Sequence, residues 1–372
     1  MQSKKLTQII FFLLSGLSGY LFSLTGISIG WMVGSLFAAG ILSVWRPSWL
    51  IKDVNAAIIP KQWMFFGQWI LGVELGQKIN TNVLNIFMEN WLFVCIILLV
   101  SVLFSLLSGM ILWRFSQTDM LTSLIGTAPG GISYLPVFAE EVGANIATVS
   151  IIQIVRVLLV IGTMPFLVFY WTSNHYIGAM NEQTAIVSFA LPEASLIIWT
   201  VIIVLVAAGG SFLARFLKLP TPWLLGSMVI IALLQTVSFG PAGGEIWWPS
   251  SILILSQIMI GTSIGSRLNK QLFVGLKRIL LVSSLSSIVL IIVMVLCATL
   301  VSKLTEISWI TAILAFAPGG IAEMAVTAVT LNADSTFVVA VQVLRIAVVI
   351  MLLPPLFQLV ERKLSKSKQT IV

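Results

Sequence analysis

The sequence predicts an all-α polytopic membrane protein made of two tandem, inverted-topology repeats, each with about five crossings plus a broken or re-entrant helix at a Pro-Gly-Gly. Three observations carry that expectation. The first is composition: 59% of the 372 residues are apolar and only 9% charged, with a mean hydropathy of +1.08. No ordinary soluble domain is so apolar, and long apolar runs recur along the whole chain. The second is a duplicated motif. Ala128-Pro129-Gly130-Gly131 returns as Ala317-Pro318-Gly319-Gly320, 189 residues later, and the same offset pairs Gln153 with Gln342, Arg156 with Arg345 and Pro165 with Pro354. The third is the distribution of basic residues, which orients the repeats.

The first helix is expected over residues 7–25 and the second over 29–45, closed by Trp45-Arg46-Pro47. A third, Ala56 to Gly76, carries Gln68, Gly72 and Gly76 at four-residue spacing, so small residues share one face and permit close helix approach. The fourth, Asn90 to Trp113, is long and apolar. Then comes the break: a piece from Asp119 to Thr127, the Pro-Gly-Gly, and a second piece to Val142, each too short to span a bilayer. Proline removes an N–H and glycines admit conformations a helix cannot hold, so an apolar segment is interrupted there. The sixth helix, Asn145 to Trp171, carries Gln153 and Arg156.

Residues 1–171 thus form the first membrane repeat, 172–194 a polar linker with His175, Glu182, Pro192 and Glu193, and 195–372 the second repeat with a short basic C-terminal tail. Trp223-Leu224-Leu225-Gly226-Ser227 echoes Trp31-Met32-Val33-Gly34-Ser35, and Gln257, Gly261 and Gly265 echo Gln68, Gly72 and Gly76. Leu280 to Leu300 is the long helix of this half, Thr311 to Leu331 holds the second break, and Asp334 to Val360 is the last helix. The N-terminus, with Lys4 and Lys5 before an apolar run, reads as an uncleaved first helix because no persuasive small-x-small cleavage site follows and the run continues into a duplicated unit.

With re-entrant breaks and a cytoplasmic N-terminus, Arg46, Lys52, Arg114, Arg215, Lys218, Arg267, Lys270, Lys277, Arg278 and the tail all fall in the cytoplasm. Only Lys78, Lys303 and the acidic linker fall outside. Breaks that cross would put the loops from Arg215 to Arg278 outside, against the positive-inside rule. The expectation is a multi-pass protein of the cell (inner or plasma) membrane with both termini cytoplasmic. The net charge of +7 then reflects topology; no basic cluster is interleaved with exposed aromatics, so nucleic acid is not an expected partner.

Two copies of A-P-G-G-I followed by Q-x-x-R, with W-x-x-G-S near the start of each repeat, resemble the AbrB-duplication family of bacterial membrane proteins over residues 16–165 and 208–355. Its members are labelled regulators or ammonia monooxygenases, and the chain has nothing like the small β-rich domain of the soluble DNA-binding regulators that share the name. The family pattern has Glu two residues after the motif's Ile. The second repeat keeps it in Ile321-Ala322-Glu323, while the first has Tyr134. The resemblance therefore implies an unequal pair of half-sites, with Glu323 as a partner available to Arg345 and Tyr134 in its place near Arg156.

Paired interruptions in two halves point to a transporter's binding site. The candidate substrate-binding residues are Pro129, Gly130, Gly131, Tyr134, Gln153 and Arg156, with Pro318, Gly319, Gly320, Glu323, Gln342 and Arg345. An intramembrane arginine costs about 2.5–3.5 kcal/mol on insertion scales and marks function or a structural partner. Here the partners on offer are carbonyls of the break or a buried acid such as Glu323 or Asp334. Glu74 is either an interface acid or a proton-coupling group; Glu140 and Glu141 are expected in water, and Asn145 and Asp334 as helix caps. His175 is the sole histidine and Cys95 and Cys297 are isolated thiols, so no metal, oxygenase or other cofactor site is expected.

The leading expectation is a secondary transporter of a small anionic solute, bound at the repeat interface. Besides the bilayer and that solute, the sequence leaves room for a homo-oligomer. The alternative is a membrane protein that alters gene expression indirectly by handling or sensing its solute, because loops and tail are too short for a DNA-binding fold. No nucleophile–base or metal spacing appears, so an intramembrane enzyme ranks last.

Overall fold

Proline and apolar sequence together set the elements of the computed structural model, which describes residues 2–26, 29–47, 59–79, 81–129, 135–175, 194–236, 247–268 and 277–369. All regular structure there is helical. The helices are α1 (Gln2–Ser23), α2 (Gly30–Trp45), α3 (Lys61–Gln77), α4 (Thr81–Ser116), α5 (Met120–Thr127), α6 (Leu135–Glu141) and α7 (Ile146–His175), then α8 (Ala194–Phe216), α9 (Pro222–Thr236), α10 (Ser250–Gly265), α11 (Lys277–Leu304), α12 (Trp309–Phe316), α13 (Ile321–Thr330) and α14 (Ser335–Gln369).

Six of them are long and apolar enough to cross a membrane: α1, α4, α7, α8, α11 and α14. The other four expected crossings, α2, α3, α9 and α10, are apolar but only 15–17 residues long. A helix of that length rises about 24 Å, short of the roughly 30 Å hydrocarbon core. Prolines set several of these limits: Pro60 and Pro249 are the N-caps of α3 and α10, and Pro47 follows α2. For the same reason α3 begins after the expected Ala56, a residue outside those described. Helix α4 begins well before the expected Asn90, since nothing between Thr81 and Asn90 is Gly or Pro. Likewise α14 runs through the basic tail, whose Leu, Glu, Lys, Arg and Gln are good helix formers. The linker lies almost wholly outside the described residues.

Contacts gather the helices into two units that cut across the sequence halves. Unit 1 comprises Met1–Asn85, Ile161–Leu272 and Ile321–Thr336; unit 2 comprises Ile86–Val160, Phe273–Gly320 and Phe337–Val372.

In unit 1 small residues let helices touch. A Cβ on Gly72 of α3 would lie 2.4 Å from the Leu224 carbonyl of α9, and one on Gly76 would lie 2.7 Å from that of Met228. The mirror of this contact joins α10 to α2: Gly261 stands 2.4 Å from the Met32 carbonyl and Gly265 2.3 Å from that of Leu36 by the same measure. Both pairs advance together along the chain, so α3 runs parallel to α9 and α10 parallel to α2. Helices α3 and α10 run in opposite senses, since Arg267, just past the end of α10, reaches the Met64 sulfur in the first turn of α3 at 2.9 Å. At their crossing the Ser256 hydroxyl donates to the Gly67 carbonyl at 2.8 Å. In lipid, where burial of apolar surface drives little association, this close packing and these hydrogen bonds hold helices together.

Unit 2 is built around the first break. Val102 of α4, Leu124 and Ile125 of α5, Leu135 and Phe138 of α6, Val149 of α7 and Val349 of α14 form one buried cluster. Gly109 of α4 sits where a Cβ would meet the Thr127 hydroxyl and the Leu124 backbone below 3.0 Å. At one end of the unit Arg278, opening α11, donates through Nε to the Phe115 carbonyl closing α4 at 2.6 Å.

Candidate functional site at the two broken helices

The short helices α5 and α12 start from conventional caps. The Asp119 carboxylate accepts from the Thr122 amide at 2.8 Å, and the Ser308 hydroxyl accepts from that of Thr311 at 3.3 Å. Both helices stop two residues before proline, with one alanine between. Ala128 has φ −61° and ψ 141°, and Ala317 φ −54° and ψ 137°, because the proline ring excludes helical geometry from the residue that precedes it. A helix end leaves carbonyls without intrahelical donors, and away from water each needs another partner.

The Gln-x-x-Arg motif supplies those partners. On α7, Gln153 Nε2 donates to the carbonyls of Gly126 at 2.8 Å and Ala128 at 3.1 Å. Arg156 Nη1 donates to those of Thr127 at 2.8 Å and Ala128 at 2.9 Å, while Nη2 donates to Gln153 Oε1 at 2.7 Å. On α14, Gln342 Nε2 donates to Leu314 at 3.0 Å and Ala317 at 3.2 Å. Arg345 Nη1 donates to the Ala317 carbonyl at 2.6 Å and Nη2 to that of Gly319 at 2.8 Å, with a further bond to Gln342 Oε1. Three-residue spacing puts amide and guanidinium on one helical face, where each orients the other. Of the partners the sequence offered each arginine, these hydrogen bonds go to carbonyls of the break.

The arrangement leaves charge and donors over. Arg156 and Arg345 are each 3% exposed, and no buried carboxylate accompanies them among the described residues of unit 2. The Nε of each has no hydrogen-bond partner among the described residues. Helices α7 and α14 meet at the first break, where Val149 and Val349, the latter one turn beyond Arg345, join Ala128 in one buried cluster. Burying an uncompensated cation is costly, and an unmade hydrogen bond on a charged donor adds to that cost.

The remaining candidates divide as follows. Pro129, Pro318 and Gly319 are buried and Gly320 half-buried. Gly130, Gly131 and Tyr134 lie outside the described residues. Glu323 is 4% exposed in the first turn of α13 and belongs to unit 1. There its charge and that of Arg267 attract one another. Arg267 is half-buried just past the end of α10, a position that carries no burial signal in sequence.

Asn145 caps α7 by accepting from the Thr148 amide at 3.0 Å. Glu74 pairs with Lys78 at 3.0 Å, one turn on in α3, and Glu140 is exposed. Cys95 and Cys297 are free thiols. The described residues contain no group of His, Cys, Asp and Glu that could hold a metal ion.

Comparison with known proteins places this geometry in context. Residues 31–361 match the family model described as transition state regulatory protein AbrB. The chain is 49% identical to the uncharacterized protein YhjN of Bacillus subtilis (strain 168), over 94% of this chain and 92% of that one. It is 31% identical to a protein of Escherichia coli (strain K12) that carries the name AbrB and the label of a regulator, over 84% of this chain and 89% of that one. The apolar helices fit the membrane branch of that name, not the soluble regulator.

Proposed function

Because the chain belongs to the AbrB family of apolar helical proteins, we propose that it is a secondary transporter, not an enzyme, for a small anionic solute in the cell membrane. The solute site is assigned to the two breaks and their Gln-x-x-Arg pairs. The observation that carries this reading is the pair of buried arginines, each with no Nε partner and no buried acid beside it among the described residues of unit 2. Discontinuous helices whose backbone faces a cavity are how transporters build ion and substrate sites.

Inverted repeats fit the packing of unit 1. Helices α3 and α10 begin 189 residues apart, the offset of the two Pro-Gly-Gly motifs, and they run in opposite senses. The α3–α9 contact is repeated by α10–α2. Such swapped contacts with reversed direction are what a two-fold axis in the membrane plane would produce, and they support that reading. That symmetry agrees with the cytoplasmic placement of Arg114 and Lys277, whose neighbours Phe115 and Arg278 are hydrogen-bonded in unit 2. Glu323 and Arg267, a buried acid and a half-buried base in unit 1, are assigned to coupling.

The label of the Escherichia coli relative favours a second reading, in which the handled solute affects gene expression indirectly. Both readings need a solute. Thermal unfolding of the purified protein against small carboxylates, amino acids, sugars and organic cations tests this, since a ligand of the folded state raises the midpoint. Protection by anions is the expected result. Protection by cations or neutral solutes alone would contradict the reading.

A further inference from the structure

We infer that the two arginines hold one anion between them, a small monocarboxylate that carries a single negative charge and offers one oxygen to each Nε–H. The inference rests on the reading of the breaks as an anionic-solute site and goes on to specify the ligand's charge and shape.

Charge balance decides the valence. Arg156 lies on the Thr127 and Ala128 carbonyls that close α5, and Arg345 on the Ala317 carbonyl that closes α12 and the Gly319 carbonyl of the break beyond it. A helix C-terminus carries roughly half a negative charge, so the two helix ends offset about half of the two guanidinium charges. About one positive charge is left over at the two Gln-x-x-Arg pairs. The residues between α5 and α6 add no carboxylate, being Gly130, Gly131, Ile132, Ser133 and Tyr134. A ligand with one negative charge balances the site; a dicarboxylate overshoots it and buries a net negative charge.

Geometry decides the shape. The Nη groups are occupied by carbonyls and by Gln153 or Gln342, so each guanidinium is held by one end while its Nε–H has no acceptor. Val349, one turn beyond Arg345 on α14, packs in the same buried cluster as Ala128 of the first break and Val149 of α7, so the two arginine-bearing helices meet at that break, and an anion between the two cations relieves their repulsion. A carboxylate has two equivalent oxygens and accepts charge-assisted bonds from two donors at once. Chloride would supply the charge without the two-ended shape.

The test uses the full chain in detergent, with the melting midpoint followed against sodium lactate, acetate, succinate and chloride at matched ionic strength. Lactate and acetate are expected to raise the midpoint saturably, with succinate and chloride at least tenfold weaker. Arg156→Lys and Arg345→Lys keep the charge but lose the Nε–H, and each is expected to raise the half-saturating lactate concentration more than tenfold. Succinate or chloride binding as well as lactate would overturn the inference and leave the anion reading standing. A single-lysine variant that keeps lactate sites of unchanged affinity would show two separate sites and overturn it too. No protection by any of the four salts, with protection by choline or glycerol, would remove the anion reading itself. The ranking of the four salts on unsubstituted protein decides the matter even if a variant fails to fold.

Discussion

Arg156 donates from Nη1 to the carbonyl of Ala128 at 2.9 Å, and Ala128 is the residue that proline forces out of helical geometry. The hydrogen bond that the break removes from α5 is thus restored from α7. This makes the arginine a structural cap and a site residue at once. Arg156→Gln removes donors from Thr127 and Ala128, and Arg345→Gln removes them from Ala317 and Gly319. An unsatisfied buried group costs about 1–3 kcal/mol, partly offset by the lost burden of a buried charge. Each substitution should therefore lower the unfolding free energy in detergent by about 1–3 kcal/mol, and the two by similar amounts. Unchanged stability in both would mean that the carbonyls find other donors without cost.

Close packing in unit 1 gives a second expectation. A Cβ at Gly72 would stand 2.0 Å from the Ser227 hydroxyl and 2.4 Å from the Leu224 carbonyl, and Gly261 has matching distances of 2.3 Å and 2.4 Å to Ser35 and Met32. The serines can rotate away, but the backbone carbonyls cannot. Gly72→Ala and Gly261→Ala should each destabilise by about 1–3 kcal/mol through overpacking. Gly209→Ala, with nothing within 4 Å, should be neutral or stabilising by up to about 1 kcal/mol, since glycine is a poor helix former. Thermal melts of the three variants in one detergent compare them directly.

The Glu323–Arg267 couple in unit 1 supports a third. Arg267→Gln leaves the buried Glu323 without its neighbouring cation, and an unpaired buried charge is strongly destabilising. A loss of about 1–3 kcal/mol is expected, with part of it recovered when Glu323→Gln is added. Additive losses in the double-mutant cycle would show that the two charges do not act on each other.

Topology is tested separately. Reporters fused after Glu182 and after Val372 should place the linker outside and the C-terminus in the cytoplasm. A cytoplasmic linker would make the repeats parallel.

Much of this was legible in the sequence, and the reasons are local. Proline excludes helical geometry at the residue before it, so both breaks were evident, and three-residue spacing set each glutamine and arginine on one face. Asn145 was readable as a cap. The 189-residue offset also paired Gly67 with Ser256, yet that their atoms meet could not be read from either segment alone. Contacts between distant segments were hidden: the grouping of α1–α3 with α8–α10, and the approach of Arg267 to Glu323. Helix ends were mistaken where weak signals decide them. The polar start of α4 and the charged end of α14 contain good helix formers that a search for apolar runs passes over.

The claim that matters most is that the paired arginines carry an anion across the membrane. Uptake of labelled lactate into proteoliposomes, driven by an outward lactate gradient, measures this for the wild type and for Arg156→Lys and Arg345→Lys. The account predicts counterflow in the wild type and a loss of at least tenfold in each variant, although both insert and fold. Equal counterflow in all three proteins, with or without bound anion at the breaks, would contradict it.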